Sequence, residues 1–135
     1  MPTKVLILTA WLVAGVVPLV AHHSAAAEFD ETKPFKLTGT VTRLRWENPH
    51  IFFYMDVVDE KTSKPVNWTM EMANPNRLLR AGWTRDTMKI GDQVTVAGTL
   101  AKNGTKRGNS RNVTFASGPN KGKKLGAASS EGTNP

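Results

Sequence analysis

The residues best suited to chemistry in this chain are its three histidines, His22, His23 and His50. An apolar run from Val5 to Ala21 precedes the first two. Removing that run after Ala21 would leave a free amine on His22. An N-terminal histidine can chelate a metal through its amine and its ring, and His23 supplies a second imidazole at once. Imidazole suits copper, zinc and nickel, and amine nitrogen favours copper(II). His50 offers a third imidazole from a turn, Asn48-Pro49-His50, and acids near the histidines in sequence are Glu28, Asp30 and Glu47. The plainer reading is that His23 is a solvated tail residue and His50 a rim residue bonded to backbone.

A second constellation is Trp68, Met70 and Met72. Alternation along a strand places the three on one face. Two thioethers can bind copper(I), and an indole face can stabilise a cation beside them. The competing reading is that both methionines fill irregular gaps in a core.

A third is polyanion binding. The chain carries 18 Lys and Arg against 11 acids, a formal charge of +7. Such a charge attracts anionic partners at long range, although a solvated basic surface is the favoured account of it. Stacking on nucleic-acid bases needs exposed aromatics. The outward residues expected on the Trp68 strand are Asn67, Thr69 and Glu71, which leaves Phe52 and Tyr54 as stackers and makes nucleic acid an unfavoured partner. Enzymatic chemistry has little support. The sequence shows no Ser-His-Asp signature, no phosphate loop and no paired-carboxylate spacing, and with no cysteine it has neither a thiolate nucleophile nor a disulfide.

The elements that must position these residues can be read from periodicity and punctuation. Lys4, the apolar run and Pro18 followed by small residues have the form of a signal peptide. The run falls short of the about 20 apolar residues that span a bilayer, so the mature chain is expected to be exported, periplasmic or secreted, without a transmembrane segment. Cleavage fits after Ala21 or after Ala27, and the later cut would discard both histidines. Residues 22–36 read as a leader, 37–116 as one domain, and 117–135, rich in Gly, Lys, Ser and Asn, as a disordered tail.

Within the domain, Leu37, Gly39 and Val41 alternate with threonines, and then Leu44 and Trp46 carry the apolar phase on the other parity. That slip predicts a β-bulge and a bent strand. Ile51 to Val58 is a second strand, Asp59 to Lys64 a hairpin loop, and Val66 to Met72 a third strand. Asn74 can cap a helix that begins at Pro75. Gly82 can end it in a left-handed conformation, with Trp83 folding back on Leu78 or Leu79. Val94 to Leu100 and Val113 to Phe115 give two more strands, separated by a basic loop over Lys102 to Asn109. The chain therefore reads as all-β with one short helix, an OB-like five-stranded partly open barrel whose helix lies between strands three and four. A small β-sandwich is the alternative, and it would not ask for the helix there.

Several motifs together resemble a small exported bacterial family of unknown function. They are Ala21-His22-His23-Ser24, Glu28-Phe29-Asp30, Trp46-Glu47-Asn48-Pro49-His50, Pro75-Asn76 and Gly82-Trp83-Thr84-Arg85-Asp86. The resemblance runs from about Ala21 to Phe115 and implies cleavage before His22. It implies no activity. Trp68, Met70, Met72 and His50 are also similar, more loosely, to the metal-binding residues of the periplasmic copper and silver chaperones of the Cus efflux system, with one residue fewer between Trp and the first Met. The reading that results is an exported binding protein with copper as its leading ligand. The alternative is a metal-free interaction module that binds an envelope protein or a polyanion.

Overall fold

The computed structural model describes residues 25–128, and within them one 17-residue strand organises the rest. A single helical turn, α1 (Ala25–Glu28), leads into β1 (Phe29–Arg45). The early part of β1 pairs antiparallel with β4 (Gln93–Ala101), from Phe29 opposite Ala101 to Thr40 opposite Gln93. Its late part pairs antiparallel with β2 (Phe52–Val58), from Thr40 opposite Asp56 to Arg45 opposite Phe52. One strand can serve two neighbours because it bends. The register shifts between Val41 and Arg43, where the apolar phase slips in the sequence.

β2 pairs antiparallel with β3 (Pro65–Glu71). β3 then meets the start of β5 (Arg107–Phe115) in a short parallel ladder, Thr69 to Glu71 beside Arg107 to Asn109. β5 returns antiparallel to β4. Five strands are thus bonded in a ring, β1-β2-β3-β5-β4, and a sixth, β6 (Lys124–Gly126), extends β5. The helix α2 (Pro75–Arg80) lies between β3 and β4. The protein is an OB-like, partly open five-stranded barrel with one short helix at the expected place.

Inward residues of every ring strand meet in one core: Val41, Phe53, Met55, Met70, Val94, Val96, Val113 and Phe115 are all 0–1% exposed. Burial of each such side chain contributes about 1.5–3 kcal/mol. Val57 and Trp68 pack against it half-buried. The α2 termini follow their residues. The Asn74 side chain accepts from the Arg77 amide at 2.9 Å. Gly82, at φ 94°, reverses the chain so that the Trp83 amide donates to the Leu78 carbonyl.

Two segments read as loose are built into the fold. The leader becomes strand from Phe29 onward, and Phe29 is 1% exposed. The strand pattern is hidden in the sequence because Asp30 to Pro34 is polar and irregular, with Asp30 accepting from the Thr32 amide and hydroxyl and the register shifting there. The tail turns at Gly118 and Gly122, both at positive φ, and comes back along β5. The Trp83 indole donates to the Gly126 carbonyl at 2.8 Å, and Ala73 and Ala127 are joined by a backbone hydrogen bond. A few backbone bonds and one buried aromatic hold β6, so apolar composition gave no warning of it. Residues 129–135 of that tail, the apolar run with the cleavage site after Ala21, and His22 and His23 lie outside the described residues, whereas the alternative site after Ala27 falls within α1.

Candidate functional site

His50 stands one residue before the β2 ladder closes. The Ile51 amide donates to the Ala73 carbonyl and the Met72 amide to the Ile51 carbonyl, so the β2–β3 pairing continues past Phe52 and Glu71. That register makes Glu71 a diagonal neighbour of His50 on the same face. The side chains meet, with His50 Nδ1 2.5 Å from Glu71 Oε1. On the other side of β3, Glu71 pairs with Asn109, and Arg107 lies two residues earlier on β5. Arg107 Nη2 is 3.3 Å from Glu71 Oε2, and the same nitrogen is 3.9 Å from Glu28 Oε2. The Arg107 guanidinium also covers the Phe29 ring, 5.7 Å from its centroid.

Glu71 is the residue that alternation misplaces. It was expected to face solvent with Asn67 and Thr69, yet its side chain is only 6% exposed. β5 runs beside it, because pairing starts at Arg107 within the stretch expected to be loop, and the chain entry at Glu28 and Phe29 lies beyond Arg107. A buried carboxylate needs compensation. Each of its oxygens has a partner, one imidazole and one guanidinium. The sequence offered one signal, an acid inside the apolar stretch Trp68 to Met72; the partners come from other strands and cannot be read from spacing.

The geometry fixes what His50 can offer. An ionised carboxylate only accepts hydrogen bonds, so the short contact requires the proton on Nδ1. Neutral His50 then presents the lone pair of Nε2, which has no partner among the described residues. Holding one ring nitrogen on a carboxylate is how metal-ligating histidines are commonly oriented. Among the described residues no group of three His, Cys, Asp or Glu side chains is arranged to hold a metal ion. Of the three histidines singled out in the sequence, His50 alone falls in the described range.

The residues of the second constellation divide between core and surface. Met70 and Met72 are both 0% exposed and belong to the core cluster, so their thioethers fill space. Trp68 faces the same way but further along β3, and the cation over its ring is Lys106, with Nζ 5.1 Å from the centroid. Tyr54, considered as a stacker, carries the Arg43 guanidinium at 5.3 Å.

Comparison with family models places residues 10–111 in a family of unknown function, DUF6152. That match covers more than half of the sequence. The chain belongs to this family. The matched span includes His22, His23, His50, Glu71 and Arg107, so the family region contains both the buried carboxylate and all three histidines. Comparison with curated proteins finds no match. No helix among the described residues is long and apolar enough to cross a membrane.

Proposed function

We propose that this protein is an exported, periplasmic binding protein that takes a transition metal, copper foremost, through the His22 amine and imidazole, with His23 and His50 completing the nitrogen set. The observation that carries the reading is the chain of contacts Glu28, Arg107, Glu71, His50. It ties the entry of the domain to the histidine whose Nε2 has no partner among the described residues. His23 is two residues before Ala25, so its Cα is within about 7 Å of the start of α1. The described chain enters the fold through α1, which ends at Glu28, the first residue of that chain of contacts. The donor set of amine and imidazoles fits copper(II).

The test is electron paramagnetic resonance of the copper(II) complex. The expected spectrum shows several coordinated nitrogens, and His50→Ala reduces the nitrogen coupling while leaving the terminus intact. A spectrum of hydrated copper, or one unchanged by His50→Ala, counts against the site. The intact mass of the exported protein tests the cleavage. A mature chain that starts at His22 is expected, and a start at Glu28 would remove three of the proposed donors.

The second reading is a metal-free module that binds an envelope protein or a polyanion. The net charge of +7 favours it.

A further inference from the structure

The barrel is open at the end opposite His50. β1 and β2 part beyond the pair Thr40 and Asp56, although β2 continues to Val58 and β1 extends back to Phe29. Among the described residues β3 pairs with β5 only from Thr69 to Glu71, so Pro65 to Trp68 have β2 on one side alone. Both seams open onto the same place. By strand alternation, Leu37 shares the inward face with Gly39 and Val41, Val57 with Met55, and Trp68 and Val66 with Met70. Those four side chains are half-buried where their strand-mates are fully buried. Together with Lys36, Lys61 and Lys106 they line a groove of about 570 Å³, within the range of small-molecule sites.

The groove has an apolar floor continuous with the core and a basic rim. Leu37, Val57 and Trp68 pack on the core cluster, and Phe35 lies against the indole at 6.3 Å between centroids, fixing its tilt. Lys106 Nζ sits over the exposed indole face. Two acids also line the groove, Asp59 and Glu60. Asp59 accepts from the Lys61 and Thr62 amides of its own turn and also feels the charge of Lys106, which the ligand's acid group would share with it.

We propose that this mouth binds a small planar aromatic anion, with its ring laid on Trp68, Leu37, Val57 and Val66 and its acid group paired with Lys106. The ring takes the place of the ammonium on the indole face, and the acid group keeps that ammonium neutralised. Charge complementarity sets the sign of the ligand, and the mixed lining sets its amphipathic character. The site shares no residue with the histidine end, although Trp68 stands only three residues, about 10 Å, before Glu71 on β3 and Lys106 adjoins Arg107.

The test uses 1-naphthalenesulfonate as probe on isotope-labelled protein, read at the Trp68 indole N–H signal. A saturable shift is expected. Lys106→Gln should weaken binding roughly tenfold, the loss of one charge-assisted contact. Uncharged 1-naphthalenemethanol should bind more weakly by a similar factor. The proposal is overturned if the Trp68 signal does not move, if Lys106→Gln binds the sulfonate as well as the parent protein, or if the neutral alcohol binds equally. It also falls if a single-stranded oligonucleotide moves the signal at lower concentration than the sulfonate.

Discussion

Glu71 Oε1 lies 2.5 Å from His50 Nδ1, and this contact joins the end of β3 to the turn before β2. It turns a rim histidine into an oriented one. Arg107 completes the arrangement from β5, so three strands fix the direction in which a single imidazole presents Nε2.

Replacing Glu71 with Ala should destabilise the fold by about 1–3 kcal/mol, since Arg107 and His50 lose their shared acceptor while remaining partly solvated. Chemical denaturation measures the loss. Glu71→Gln should cost less and should alter the His50 tautomer, seen in its ring nitrogen shifts. A nitrogen spectrum identical to that of the parent protein would show that Glu71 does not orient the ring.

Trp83 and Trp68 should behave differently. Trp83 is 1% exposed, donates to the Gly126 carbonyl and packs on Phe115 at 5.9 Å. Trp83→Ala should cost about 3–5 kcal/mol. Trp68→Ala should cost clearly less, because one face of the ring is open to the groove. Equal losses in thermal midpoint would contradict that placement.

Much of this fold was legible from alternation. The phase slip between Val41 and Leu44 marked the bend that lets β1 serve two neighbours, and Asn74, Pro75 and Gly82 marked α2 with its ends. The segments that escaped are those whose order comes from partners distant in sequence. Phe29 is surrounded by polar residues, and β6 is held through Trp83, Arg111 and Ala73. The site divides in the same way. His50 stood out by its rarity, whereas Glu71 has the alternation of a solvent-facing residue and becomes buried when Arg107 and the chain entry pack around it.

Gly98 should not tolerate a side chain. An added Cβ would stand 1.9 Å from the Asn109 carbonyl oxygen, at the bulge where β4 changes register against β5. Gly98→Ala should destabilise by about 1–3 kcal/mol through forced strand separation. Gly126→Ala, with open space around it, is the matched control. Equal unfolding midpoints for the two variants would show that the strands can part without cost.

The hairpin between β2 and β3 should loosen in acid. Hydrogen bonds from Thr62, backbone and then side chain, hold the Asp59 carboxyl below its usual range. A depressed carboxylate stabilises the fold above its unfolded pKa, and that contribution disappears as pH falls through the lower folded value. Asp59→Asn should therefore differ from the parent protein at neutral pH and converge with it in acid, below the usual carboxylate range. A stability difference that persists there would assign the effect to shape and not to charge.

The most direct measurement is a copper(II) titration of three forms: the chain starting at His22, the same chain with one residue added before His22, and the His22 form carrying His50→Ala. Binding of one copper is expected for the first, with affinity falling as pH drops because protons compete for the amine and the imidazoles. The added residue should weaken binding by removing the amine from the His22 chelate, and His50→Ala should weaken it separately. Equal binding by all three forms would contradict the site and leave the metal-free interaction module in its place.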